Sequence, residues 1–345
     1  MRKSMDRTGR GAVCAVAALA LSAALTSAVA APPPRESSRI PFAERFHATG
    51  HGGIARAANS WVTCRRPAGR AGRRECAAAG RFGPRAAHVD DAPGAAGSSR
   101  AALRLPAGSR VRFARLYWGG DLRSSGHRVL LAGPRGRYQE VPADNPIGRR
   151  STPRADDYQA SADVTALVRR GGAGTYTAAR PGAGERAGAC GGWALIVAYE
   201  NRREPLRRLA VWDGFEALGG HRRAFAVRLA GLHIPAHARG RAGVVAYHGT
   251  PGSGSEISAR AGHITPVVLR HSAEPANAAA HSTHSDFDRK RPGTPAYRNA
   301  EGFDSGVFDL TPALRSGGDR LAFRFTTRKA GYLLGALFVQ ADLRH

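Results

Sequence analysis

Apolar residues along this chain recur at every second position, in short runs broken by glycine and proline. No stretch keeps the helical rhythm of an amphipathic helix of ordinary length. "RVRFARLYWGG" sets Val111 and Phe113 against Arg110 and Arg112, then turns apolar on both faces at Leu116, Tyr117 and Trp118. "HRVLLAG", "GTYTAA", "LRRLAVWDG", "RAFAVRLAGL", "AGVVAYHG", "DRLAFRFTT" and "YLLGALFVQADL" read the same way. Many short strands with turn residues between them predict an all-β sandwich or barrel. The one helical candidate is "ADVTALVRRGG", in which Asp163 caps, Val164, Leu167 and Val168 share a face, and Gly171 stops the turn.

That turn has a second copy. "SADVTALVRRGGAGTYTAA" aligns with "VFDLTPALRSGGDRLAFRF": Asp163 matches Asp309, Thr165 matches Thr311, and both segments run into Gly-Gly. A strand follows each, and then a long apolar strand, so the chain reads as two related jelly-roll-like β-sandwich units in tandem. Residues 53–203 make the first unit and 204–345 the second, with a Pro-rich polar leader at 31–52 and a low-order loop at about 79–102. "WALIVAYE" carries Trp193, Leu195, Val197 and Tyr199 on one face and Ala194, Ile196 and Ala198 on the other. A strand apolar on both faces is a central strand covered on both sides, and its alanine face admits another backbone closely.

Composition changes the picture first at the N-terminus. A basic segment with Arg2, Lys3, Arg7 and Arg10 precedes the apolar run Gly11 to Leu25 and an A-x-A pattern at Ala28 and Ala30. Residues 1–30 thus read as a secretory signal peptide, and no second stretch is long enough to span a membrane. The formal net charge is +26, carried almost wholly by arginine, with lysine only at positions 3, 290 and 329. Arginine spread evenly through an Ala-, Gly- and Pro-rich chain reads as GC-rich coding bias, which leaves weak, non-specific attraction to polyanions. The alternative, a specific polyanion site, requires arginines distant in sequence to converge on one face.

Candidate chemistry is sparse. In an exported chain Cys64 and Cys76 can form a disulfide closing a loop of arginines and glycines with little apolar content. Cys190 is then left over. Small residues and a tryptophan surround it, but it enters a strand instead of opening a helix, so it reads as a structural thiol and not a nucleophile. "HSTHSDFD" offers His281, His284, Asp286 and Asp288 as N and O ligands for a divalent metal, set against the reading of a solvated loop. "EGFDSGVFD" offers Glu301, Asp304 and Asp309 to calcium, with Asp309 already wanted as a cap. There is no G-x-S-x-G elbow, no phosphate-binding G-x-x-x-x-G-K loop and no aromatic nucleic-acid signature. No catalytic residue and no cofactor is expected.

"ARLYWGG", "ASADVTALVRRGGAGTYTAA", "GWALIVAYENRREPLRRLAVWDG", "GFDSGVFDL", "GYLLGALF" and the early "NSWVTC" resemble a group of secreted actinobacterial proteins, DUF3344-like domains found at the N-terminus of surface proteins with DUF11-type repeats. The likeness covers roughly Gly53 to Leu343 and implies an extracellular or cell-surface module without an assigned activity. This chain departs from the pattern in carrying no repeats after the domain. The expectation is therefore a secreted, non-catalytic protein that acts by binding or as a structural or adhesion module. Its partner would be a cell-envelope glycan or protein, with no specific nucleic acid. The alternatives are a metal-dependent hydrolase of wall polymer, and a basic polyanion-binding protein.

Overall fold

The computed structural model describes residues 34–64, 84–90, 94–121, 126–152, 156–181, 190–249, 254–270, 284–286, 289–290 and 302–343. In chain order the first half holds β1 (Glu36–Ser37), β2 (Ile40–Ser60), β3 (Val62–Cys64), β4 (Pro84–Ala86), β5 (Ala95–Leu103), β6 (Arg110–Asp121), β7 (Arg128–Ala132), β8 (Tyr138–Pro142), β9 (Ile147–Ser151), β10 (Asp156–Asp163), α1 (Thr165–Gly171), β11 (Gly174–Pro181) and β12 (Cys190–Glu200). The second half holds β13 (Leu206–Leu218), β14 (Ala224–Leu229), β15 (Gly240–Tyr247), β16 (Glu256–Ala261), β17 (Val267–Val268), β18 (His284–Asp286), β19 (Arg289–Lys290), β20 (Phe303–Asp309), a 3₁₀ turn (Thr311–Leu314), β21 (Leu321–Thr326) and β22 (Tyr332–Asp342). The chain is all-β, and α1 is the one α-helix among the described residues.

Both halves have one topology. In the first, β10-β6-β12-β2 lie side by side and face the sheet β5-β11-β7-β8. In the second, β20-β15-β22-β13 face β14-β21-β16-β17. Strand by strand the order is the same, and it is that of an eight-stranded jelly roll. The shared "D-x-T" turn closes each roll in the same way. The Asp163 carboxylate accepts a hydrogen bond from the Thr165 N–H at 2.8 Å, and Asp309 accepts one from the Thr311 N–H at 2.9 Å. The Thr165 hydroxyl accepts from the Ala114 N–H on β6 at 2.9 Å, and Thr311 accepts from the Gly240 N–H on β15 at 3.2 Å. The residue between, Val164 or Leu310, donates its N–H back to the Ala114 or Gly240 carbonyl at 2.9 Å. Each turn ends on a glycine in the left-handed region, Gly172 or Gly317.

The rolls stand back to back. Trp193, Leu195 and Val197 of β12 fill the first roll with Leu116, Trp118 and Tyr176. Ala194, Ile196 and Ala198, on the other face, pack with Tyr117, Val211, Phe215, Val245, Phe303, Ala336 and Phe338 in a third apolar layer, the seam between the rolls. The alanine face of "WALIVAYE" is where the second roll comes close. A bulge between Ala198 and Tyr199 breaks the alternation, so Tyr199, expected to continue the Trp193 face, lies instead beside Gly53 and Gln340. β2 joins the rolls covalently: its second half, from Gly52, pairs with β12, and its first half, to His51, pairs with β13. Through it the two large sheets form one twelve-stranded sheet within a single compact unit.

Two sequence expectations need correction. The polar leader is ordered from Ile40 as the first half of β2, and β1 pairs in parallel with β9. Ladder hydrogen bonds to β13 hold it, and Ile40, Phe42 and Phe46 pack as partly buried side chains against the apolar layers. The low-order loop at about 79–102 contains β4 and most of β5. The run "AAGSSRAAL" is built of small residues because two tryptophans occupy the space beside it. The Trp193 indole N–H donates to the Ser99 hydroxyl at 2.9 Å, and the buried Trp61 indole donates to the Ala178 carbonyl on neighbouring β11 at 3.2 Å.

Candidate cleft along the seam

Where the rolls part, the seam opens into clefts. One, of about 400 Å³, is lined from the first roll by Ala55, Arg56, Ala102, Arg104 and Pro106, and from the second by Arg207, Arg241, Phe338 and Gln340. A shallower one, of about 820 Å³, shares Leu105 and Pro106 with it and carries Arg110, Arg112, Arg169 and Glu200. Together they gather seven arginines and two glutamates, Glu200 and Glu204. Strand geometry explains the convergence. Arg56 lies on β2, Arg104 follows β5, Arg110 and Arg112 alternate outward on β6, and Arg207 and Arg241 sit near the starts of β13 and β15. The jelly-roll order brings those strand ends to one side.

The arginines divide by partner. Arg207 is mostly buried, held by Glu204 at 2.7 Å, Asp342 at 2.7 Å and the Gly52 carbonyl at 2.6 Å. Burial opposes its charge, but the hydrogen bonds to Glu204 and Asp342 keep its pKa above the ordinary arginine value. Arg112 and Arg110 lean on Glu200 at 3.0 and 3.6 Å, both largely exposed. Arg169 donates to the Val111 and Arg112 carbonyls. Arg56 bonds Ser305. Arg104 is exposed and has no ion pair among the described residues. Burial raises the Tyr199 phenol above its ordinary pKa, aided by Glu204 and opposed by Arg207 and Arg241, so the hydroxyl stays neutral in the cleft.

A second polar centre lies within the seam. Asp213 is buried and receives Arg45 at 2.5 Å, the Tyr117 hydroxyl at 3.1 Å and Arg115 at 3.4 Å. Arg115 also reaches Asp144 at 2.5 Å and the Ser161 hydroxyl at 2.9 Å. Burial drives the Tyr117 pKa well up, and the Asp213 charge adds to it. This network joins β6 and β10 of the first roll to β13 of the second, and leaves the buried Arg115 Nε without a hydrogen bond.

The residues singled out from sequence fall partly outside the described residues. His281 and Asp288 of "HSTHSDFD" lie outside the described residues, as do Cys76 and the signal segment 1–30. His284 and Asp286 fall on β18, whose backbone pairs in parallel with β20 opposite Ser305 and Val307. Cys64 ends β3, and Cys190 opens β12 opposite Asp121. The calcium trio fails: Glu301 lies outside the described residues, Asp304 is buried near one end of β20, and Asp309 at the other end bonds its own turn. Five residue steps along the strand separate the two aspartates by about 17 Å, too far to share an ion. Among the described residues no three His, Cys, Asp or Glu side chains are placed to hold a metal, and no helix is long and apolar enough to cross a membrane. The cleft arginines escape sequence reasoning because they lie far apart, in no motif, amid dozens of others.

No family model matches the chain, and no curated protein matches it. Among solved structures it is similar to the major capsid protein P2 from bacteriophage PM2, at 12% identity over 73% of this chain and 95% of that one, with a TM-score of 0.22. A likeness at that level carries no argument about this protein.

Proposed function

We propose that this protein is exported and acts outside the cell as a non-catalytic binding module, with the seam cleft as its ligand site. The observation that carries the reading is a concave site built jointly by two rolls that a common strand and a continuous apolar layer lock together. Clefts between packed domains are the usual place for ligands, and a rigid frame keeps the ordering cost of binding low. Support for export comes from the basic, apolar and A-x-A pattern of residues 1–30 and from the resemblance to secreted surface proteins. Attachment to an envelope glycan or protein follows as the role of such a module. The test is retention of the mature protein on isolated cell envelope. Ala102 is exposed and lines the cleft, so Ala102→Trp fills it without entering a core. Retention should fall sharply while the melting temperature stays put. Undiminished retention would remove the cleft from the reading, and stoichiometric zinc in the purified protein, lost on substituting His281 and His284, would favour the hydrolase instead.

A further inference from the structure

We infer that the joined clefts bind a non-aromatic acidic polymer, a sugar or polyol chain bearing carboxylate or phosphate groups. This rests on the binding reading above and names its ligand class. Three observations carry it. First, arginines distant in sequence do converge here: Arg56, Arg104, Arg207 and Arg241 reach one cleft from four different elements, and Arg110 and Arg112 reach the next across Pro106. Coding bias accounts for the number of arginines but gives no reason for that placement. Second, the carboxylates beside these clefts are already engaged. Glu204 and Asp342 are both spent on buried Arg207, Glu200 serves two exposed guanidiniums, and Arg104 has no ion pair among the described residues. Guanidinium forks match carboxylate and phosphate oxygens two at a time, and the shared Leu105–Pro106 rim makes the two clefts a continuous track, longer than one small anion needs. Third, the lining lacks what a single-stranded nucleic acid uses. Alanine and arginine make up half of its walls. Of its aromatics, Phe338 is buried in the seam, Phe46 is stacked on Phe113 with ring centroids 4.9 Å apart, and Tyr199 is mostly buried beside Gly53. Half-buried Phe46 is the one partly exposed aromatic of the lining, too few for successive bases to stack on.

The experiment titrates the mature protein with polygalacturonate, a poly(glycerol phosphate), oligothymidylate and neutral dextran, at about 50 and about 200 mM salt. Polygalacturonate or poly(glycerol phosphate) should bind and dextran should not; the tighter of the two identifies the acidic group. Arg104→Gln with Arg241→Gln should weaken binding by about tenfold or more for each guanidinium removed and flatten its salt dependence. Arg135→Gln with Arg137→Gln removes the same charge from the exposed β7–β8 turn and should leave affinity nearly unchanged. Both pairs are solvent-facing, so folding is not at stake, and Arg104→Gln alone should give a smaller loss in the same direction. Equal loss in the two double variants would reduce the effect to bulk charge and overturn the inference. Oligothymidylate binding as tightly as polygalacturonate or poly(glycerol phosphate), or no polymer binding at all, would overturn it too. If Ala102→Trp still abolishes envelope retention in those cases, the binding reading survives with another ligand; if it does not, both fall.

Discussion

At the scale of single residues, the strongest local device is the Asp–Thr clasp at the close of each roll. Each aspartate satisfies an N–H that the short turn would leave open, and each threonine hydroxyl ties the turn to the neighbouring strand. Asp163→Ala and Asp309→Ala should each cost about 1 kcal/mol in urea unfolding, and Thr165→Val or Thr311→Val a similar amount. Combined within one clasp the losses should fall short of additive, because both substitutions loosen the same turn. Asp213 is the more costly position. Its removal leaves the buried Arg115 and the Tyr117 hydroxyl short of a partner, so Asp213→Ala should cost about 3 kcal/mol, against about 1 kcal/mol for Tyr117→Phe. For the cysteines, peptide mapping without reductant should recover a Cys64–Cys76 link with Cys190 free. A link involving Cys190 would show the loop folded back on β12.

At the scale of elements, β12 and β2 organise the molecule. β12 is covered on both faces, and the faces differ in grain: large side chains toward the first roll, mainly small ones toward the seam. Ala194→Leu or Ala198→Leu should therefore destabilise by overpacking, about 2 kcal/mol by thermal melt, even though each adds apolar area. A neutral or stabilising result would mean that the seam is loosely packed. β2 changes partner at Gly52, where a Cβ would stand 2.0 Å from the Tyr199 carbonyl oxygen, so only glycine lets the strand pass so close as it moves from β13 to β12.

At the scale of the whole molecule, the rolls share too much to unfold separately. The seam buries Ile196, Phe215, Tyr247 and Phe338 from both halves, and β13 relies on the first half of β2 along one whole edge. Calorimetry should therefore show a single transition, and residues 204–345 expressed alone should show no cooperative melt. Two resolved transitions would mean that the seam contributes little and that each roll is self-sufficient.

The sequence by itself determined the strand class, the capped turn, the repeat and the doubly covered β12. All of these are encoded over a few neighbouring residues, where period and turn chemistry act locally. It misreported β5 and the first half of β2. Small residues beside tryptophans look like a linker until the tryptophans are in place, and Ile40, Phe42 and Phe46 stand too sparsely among polar residues to mark a strand before β13 is there to pair with it. The tertiary structure alone decided that the alanine face of β12 meets the large side chains of the second roll, Val211, Phe215 and Phe338 among them. It also decided which few of the many arginines share a cleft. Arg56, Arg104, Arg207 and Arg241 carry no local mark, because what joins them is the order of strands across two sheets, and that order exists only once pairings distant in sequence have formed.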